Sequence, residues 1–459
     1  MSPLAATISH MRLLSLLTAL VFTSASLAAD RKPNIVFILA DDLGYGDVGC
    51  YGQKMIRTPN IDRLAAEGMR FTQCYAGSTV CAPSRCCLMT GLHTGHARVR
   101  GNAQVPLQPD DRTVAEVLKA AGFATALCGK WGLGEAESTG VPNKKGFDYF
   151  FGYLNQNHAH AYYPDYLWKN QEKLALPNVV KNNVASTKAV YSPDLITKEA
   201  LGFIDANKDR PFFLYFAPTL PHANNEAKQE GMEIPSDAPY TAEKWPQPQK
   251  NHAAMITRLD ADIGKLLDKL KELKLDENTI VFFSSDNGPH KEGGGDPAFF
   301  ESAGQLRGYK RSMTEGGIRV PMIVRWPGKV KPAESDFVWA FWDFLPTAAE
   351  LAGAKVPGGL DGQSIVPELL GTGEVKPHKF LYWEFHEGGS KQAVRTGDWK
   401  AIRNQVGGPL ALYDLRRDIG EQENVAAKHA DFVAMIEEYL KTARSESTEW
   451  PLRAAKKPK

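Results

Sequence analysis

Apolar runs that stop abruptly at acidic or amide residues give this chain its rhythm. Asn34-Ile35-Val36-Phe37-Ile38-Leu39-Ala40 is unbroken and ends at Asp41-Asp42. A strand covered on both faces has this texture, because successive side chains point to opposite sides and both sides meet apolar neighbours. Phe212-Phe213-Leu214-Tyr215-Phe216 repeats it, and Ile280-Val281-Phe282-Phe283 repeats it again shortly before Asp286-Asn287. A shorter run over 123–127 leads into Gly129-Lys130.

Helical signals fall between these runs. Thr58-Pro59 reads as a cap and a first-turn proline, and predicts a helix to about residue 69. Thr113-Val114-Ala115-Glu116 has the spacing of a capping box, and Gly122 closes that helix. Ser192-Pro193 opens another, and 251–273 predicts a longer one. Strands and helices alternate and polar residues gather just past strand ends. The predicted class is therefore α/β, a largely parallel sheet with ligands at its carboxyl edge. Around 371–378 the texture changes to glycine, proline and charge. Strand-like pieces follow at 380–385, 392–395, 399–403 and 410–415, then a helix over 430–443. This predicts a large domain over 32–372 and a small α+β domain over 378–447.

Composition narrows the function classes. The 459 residues are 43% apolar and carry 54 basic against 53 acidic side chains. Such a balance argues against general nucleic-acid binding, so an anionic substrate has to be met by local positive groups. Residues 1–28 read as a signal peptide: Arg12, an apolar core over 13–22, then Ser26-Leu27-Ala28. No later segment reaches the roughly 18 apolar residues of a membrane span. The expected protein is exported, periplasmic or secreted. The six cysteines, at 50, 74, 81, 86, 87 and 128, match neither a disulfide framework nor a zinc spacing. Buried thiols are the reading for Cys86, Cys87 and Cys128, and a Cys50–Cys74 pairing stays open.

The densest chemistry is Cys81-Ala82-Pro83-Ser84-Arg85-Cys86-Cys87-Leu88-Met89-Thr90-Gly91. Pro83 suits a helix start, where free peptide N–H groups and the helix dipole favour an anion. Arg85 then places a fixed cation nearby. Asp41-Asp42 and Asp286-Asn287, each after an apolar run, are hard oxygen donors of the kind that suit Ca²⁺ or Mg²⁺ rather than zinc.

Cys-x-Pro-Ser-Arg followed by an apolar turn and Thr-Gly resembles the signature of the type I, formylglycine-dependent sulfatases, arylsulfatase-like members included. Further blocks carry the resemblance: Asp41-Asp42, Gly129-Lys130-Trp131, Pro221-His222, Asp286-Asn287-Gly288, and Lys310 five residues before Glu315-Gly316-Gly317. It implies an alkaline-phosphatase-like large mixed sheet between helices, with a four-stranded antiparallel sheet plus helix as the small domain. It implies conversion of Cys81 to Cα-formylglycine by a formylglycine-generating enzyme. One Ca²⁺ would be held by Asp41, Asp42, Asp286, Asn287 and the modified residue 81. Hydrolysis of sulfate esters would then cleave S–O through a covalent formylglycine-sulfate intermediate. Arg85, Lys130 and Lys310 would hold the sulfate, Asp286 would help to deprotonate the attacking hydroxyl, and His222 would protonate the departing alcohol.

One position departs from the pattern. Many relatives carry histidine two residues after the first lysine, and this chain has Gly132. His93 and His96 are the replacement bases suggested by proximity in sequence. His290 is expected near the site, Glu315 and Asp361 in structural roles, and Asp47 in a turn or supporting the metal cluster. The stretch 152–163 is rich in polar and aromatic residues suited to sugars. Asn155, His158 and His160 from it, with His386 from the small domain, are the candidate substrate contacts. The expected substrate is a sulfated saccharide attacked from a chain end. Rival readings are a phosphatase or phosphonate monoester hydrolase of the same superfamily, and a non-catalytic binder of sulfated glycans.

Overall fold

The run from Asn34 to Ala40 becomes a strand buried along its whole length. Ile35, Phe37 and Leu39 enter the apolar cluster on one side of a sheet, and Val36, Ile38 and Ala40 the cluster on the other. Two covered faces are what an uninterrupted apolar run requires. Phe212–Ala217 and Thr279–Ser285 flank it, both parallel to it. Ala124–Lys130 pairs in parallel with Phe212–Ala217, and Tyr149–Tyr153 with Ala124–Lys130. The computed structural model describes residues 31–454. The segment read as a signal peptide and the lysine-rich end lie outside the described residues.

These five parallel strands are the middle of an 11-stranded mixed sheet. On one side Arg319–Arg325 pairs antiparallel with Thr279–Ser285, and Met69–Tyr75 antiparallel with Arg319–Arg325. On the other side Tyr166–Lys169 and Glu172–Ala175 continue antiparallel from Tyr149–Tyr153. Helices cover both faces. Cys81–Thr90 and Val114–Ala120 contribute to one apolar cluster, and Ser192–Asn207 and Gln247–Glu272 to the other. The expected capping box forms: Glu116 N–H donates to Thr113 Oγ1 at 3.2 Å and Thr113 N–H to Glu116 Oε2 at 2.8 Å. The helix opened by Thr58-Pro59 is shorter than expected. It spans Pro59–Ala66, and Met69 already begins a strand.

The second sheet runs Leu381–Phe385, Lys391–Thr396, Trp399–Arg403 and Ala411–Asp414, antiparallel and in sequence order. One face holds Tyr382, Val394, Ala401 and Leu412 against Ile436 and Leu440 of the helix Ala430–Leu440. The other face, with Trp383, Phe385, Ala393 and Ile402, merges into the main core. Trp383 Nε1 donates to Ala76 O at 2.9 Å. From Lys32 onward the described residues form one compact unit. All six cysteines are free thiols, so Cys50 and Cys74 are not joined.

Candidate active site

Strand register builds the site. Ala40 lies opposite Ser285, so the chain leaves the sheet at the same level with Asp41 on one strand and Asp286 on the next. Asp286 N–H donates to Ala40 O at 3.1 Å, and Asp42 N–H to Asp286 Oδ1 at 3.1 Å. Lys130 ends the strand two places away on the other side. The loop after Phe212–Ala217 carries His222, and Leu220 O accepts from Asp41 N–H at 3.0 Å. Four adjacent parallel strands thus deliver their polar residues to one carboxyl edge. Asp42 sits at φ +64, a left-handed conformation for a non-glycine residue and one that clusters at functional sites.

Cys81 is the first helical residue and Val80 is the cap. Its Sγ lies 3.3 Å from Asp41 Oδ1 and 4.0 Å from Asp42 Oδ1. Burial, with the Asp286 and Asp41 carboxylates beside it, pushes the thiol well above its ordinary range. An uncharged thiol of this kind is a weak nucleophile.

Around it stand three carboxylates and three cations, all buried. Arg85 donates from Nε and Nη2 to Asp286 Oδ2 at 3.0 and 2.8 Å, and from Nη1 to Lys130 O at 2.8 Å. Lys130 Nζ reaches Asp41 Oδ2 at 2.7 Å. Lys310 Nζ reaches Asp42 Oδ2 at 2.8 Å, His222 Nε2 at 3.2 Å and Glu292 Oε2 at 3.1 Å. Burial alone would raise the Asp41 carboxyl, but Lys130, His222 and Arg85 hold it well below the usual range. Burial and the neighbouring Asp41 raise Asp286 to about 7 against the pull of Arg85. His222 gives its Nδ1 hydrogen to Ala223 O at 2.6 Å, which turns a proton-accepting Nε2 towards Asp42 and Lys310. Burial and Lys310 push its basicity well down.

The sulfatase family model matches residues 33–354. The chain belongs to the sulfatase family. A second model, for the C-terminal part of N-sulphoglucosamine sulphohydrolase, matches residues 307–446. This sulfatase is 34% identical to arylsulfatase A of Homo sapiens over 90% of its own chain and 86% of the relative's. It is 31% identical to the N-acetylgalactosamine-6-O-sulfatase of Bacteroides thetaiotaomicron over 90% and 94% of the two chains. The crystal structure of Ps i-CgsB in complex with k-i-k-neocarrahexaose superposes with a TM-score of 0.78 at 30% identity, covering 92% of this chain and 95% of that one. The fold is the alkaline-phosphatase-like one, and the sulfatase is a sulfuric ester hydrolase.

The donor set fits a divalent metal ion. Asp41, Asp42, Cys81 and His222 each bring a ligand atom within 4.8 Å of the others. Asn287 donates both amide hydrogens, to Asp42 Oδ1 at 2.7 Å and Gly288 O at 2.9 Å, leaving its buried Oδ1 with no partner. A buried acceptor left empty beside carboxylates is what an oxygen-seeking cation completes. Asp41, Asp42, Asp286 and Glu292 face Arg85, Lys130, Lys310 and Arg311, so such an ion leaves the cluster positive and suited to an anion.

The remaining candidates divide. His160 stacks on His222, centroids 4.9 Å apart, and is held by Glu226 Oε2 at 3.0 Å from its Nδ1. His290 also stacks on His222, centroids 5.9 Å apart. His158 packs instead on Tyr153 and Tyr166. Asn155 bonds Glu135 Oε2 at 3.1 Å and His158 N–H at 2.7 Å. His386 is tied at both nitrogens, to Ser390 Oγ at 3.0 Å and Glu384 Oε1 at 3.1 Å, beside Trp450. His93 and His96 do not replace a missing base. They stack on each other beyond the far end of the Cys81–Thr90 helix, beside Asp361, about 13 Å of helix from Cys81. Asp47 serves its turn, accepting from Gly44 N–H at 2.7 Å. Glu315 and Asp361 are structural: Glu315 takes Lys400 Nζ at 2.7 Å, and Asp361 Oδ2 takes His93 N–H at 3.0 Å.

Three residues at the site were not singled out from the sequence. Glu292 joins Lys310 to Arg311, and those cations hold its carboxyl down at about 2 despite burial. Asn102 Oδ1 accepts from Ala82 N–H at 3.0 Å at the start of the Cys81 helix. Gln156 lies against Gly132. Neither Asn102 nor Glu292 stands in a recognisable motif. Gln156 falls inside the 152–163 stretch read as suited to sugars, without being singled out within it.

Proposed function

We propose that this sulfatase desulfates a saccharide at a chain end, with residue 81 in its formylglycine form and one Ca²⁺ held by Asp41, Asp42, Asp286 and Asn287. The carrying observation is the convergence of Arg85, Lys130 and Lys310 on the carboxylate cluster beside Cys81 at a helix start. Relatives whose names specify a hexosamine sulfate or a bound saccharide support the substrate class. The metal, when bound, supplies positive charge to the reacting oxygens. The oxidised residue would supply an aldehyde hydrate: one hydroxyl attacks sulfur, and the other, its proton passing to water in place of the histidine absent at Gly132, expels sulfate and restores the carbonyl.

The chain's own residues do the rest. Lys130 and Lys310 hold sulfate oxygens and balance the charge that grows on them. Arg85 fixes the position of Asp286, which takes the proton of the attacking hydroxyl. Once a bound sulfate draws on Lys310, His222 takes up a proton at Nε2 and delivers it to the departing alcohol oxygen, and Ala223 O keeps the ring in the orientation this needs. Peptide mass analysis of the enzyme made alongside a formylglycine-generating enzyme reads residue 81 directly, and an aldehyde there is expected. Cys81→Ala is expected to fold and to hydrolyse neither aryl nor sugar sulfates. Full turnover with an intact thiol, or phosphate esters preferred to sulfate esters, overturns the reading.

A further inference from the structure

A small cavity of ≈ 100 Å³ opens between the Asn102 loop, the turn after Lys130 and the 155–157 segment. Its walls lead back to the reacting centre at two points. Asn102 bonds the peptide N–H that follows Cys81, and Gly132 is two residues beyond Lys130. Glu135 is its only ionisable wall residue, and that carboxylate accepts from Asn155 Nδ2. The cavity therefore offers carboxamides and no cation, unlike the neighbourhood of Cys81.

Most of those carboxamides are already occupied. Asn102 Oδ1 takes Ala82 N–H, Asn155 is bonded at both ends, and Asn157 Nδ2 donates to Glu226 Oε1 at 2.8 Å. Gln156 differs. Both its Oε1 and its Nε2 are sealed from solvent and neither has a protein partner. A carboxamide empty at both ends is rare inside proteins, where buried polar atoms are satisfied. Its position is permitted by Gly132, which sits at φ +82 and where a Cβ would overlap the Gln156 amide nitrogen. Gln156 lines the cavity, and a turn of its side chain into that space presents the donor and the acceptor to a guest that offers an acceptor and a donor in return. Hydroxyl and acetamido groups do so, while a sulfate offers acceptors alone.

We propose that this cavity is a neutral hydrogen-bonding subsite for a hydroxyl or acetamido substituent of the sugar ring that bears the scissile sulfate, and that Gln156 is the residue that reads it. The proposal rests on the saccharide reading above and adds the substituent chemistry beside the sulfate.

The test compares 4-nitrophenyl sulfate with a panel of hexose and N-acetylhexosamine monosulfates on the matured, calcium-loaded enzyme. Gln156→Ala should lower kcat/KM for the best sugar sulfate about tenfold more than for the aryl ester, chiefly through KM. Gly132→Ala, which pushes the carboxamide aside, should give the same selective loss. Which half of the panel is lost tells hydroxyl from acetamido. Thermal unfolding of each variant separates misfolding from lost recognition. Equal losses on both substrate types, or no loss, overturn the subsite. A wild-type enzyme that cleaves the aryl ester and no sugar sulfate overturns the saccharide reading, and this proposal with it.

Discussion

Arg85 clamps Asp286 through two donors on one carboxylate oxygen, and its Nη2 also lies 3.4 Å from Asp41 Oδ2. One guanidinium therefore spans the ends of two neighbouring strands and satisfies the Lys130 carbonyl as well. A lysine has no planar fork with which to copy this. Arg85→Ala leaves buried carboxylates without their counter-ion and is expected to destabilise the fold by about 3–5 kcal/mol. Arg85→Lys should keep much of that stability and lose most turnover. Urea unfolding alongside aryl sulfate hydrolysis checks both, and an alanine variant as stable as the wild type would refute the clamp.

The orphaned Asn287 Oδ1 makes the metal reading testable without turnover. If it completes a Ca²⁺ site, added Ca²⁺ raises the unfolding free energy by about 2.7 kcal/mol at a hundred times its dissociation constant. Chelation should reverse the gain. Asn287→Ala should shift the Ca²⁺ dependence to higher concentration while leaving the apo protein folded. A melting temperature indifferent to both Ca²⁺ and chelator counts decisively against a calcium centre.

How far the sequence reached depends on the range of the interaction. The central strands were readable because burial on both faces leaves an uninterrupted apolar run, as in Asn34–Ala40. The core of the site was readable because its residues follow those runs or sit in tight motifs. Met69–Tyr75 was lost to the preceding helix, since its burial is broken and only Glu67 and Gly68 separate the two. Arg319–Arg325 carries Pro321, which normally argues against an interior strand. The sheet accommodates it where the register with Met69–Tyr75 shifts between Val320 and Met322. His386 looked available as part of an aromatic, charged run, yet Glu384 two residues away holds it. Such pairings join distant segments or hide within one, and neither periodicity nor spacing reports them.

Acid should unfold this protein through groups remote from the site. Glu384 is buried, but bonds from His386, Arg100 and Arg444 bring its carboxyl down to about 2. A depressed carboxyl stabilises above its unfolded pKa near 4.5, and the contribution disappears as pH falls towards 2. His93 is buried and lowered to about 4, with Asp361 only partly offsetting the burial. Its neutral form is favoured by folding, so that stability is complete above about 6.5 and fades between there and 4. Unfolding free energy measured in urea should decline steadily from pH 7 to pH 4. His93→Asn should flatten the upper part of that decline, and a flat wild-type profile would contradict the assignment.

The role of His222 can be separated from simple charge by changing what leaves. Its Nδ1 hydrogen is fixed on Ala223 O, and its Nε2 lies 3.4 Å from Asp42 Oδ2 and 3.2 Å from Lys310 Nζ. A general acid in that position matters most when the departing oxygen is a poor leaving group, as in a sugar alcohol. It matters least for 4-nitrophenolate, which departs readily without a proton. His222→Ala should therefore cut kcat/KM by about 10²–10⁴-fold on a sugar sulfate and much less on 4-nitrophenyl sulfate. A ring that merely held sulfate would lower both substrates alike, because the sulfate is common to them. A Brønsted series of substituted phenyl sulfates makes the distinction quantitative. The variant should depend more steeply on leaving-group basicity than the wild type, and parallel lines would remove His222 from the proton-donating role.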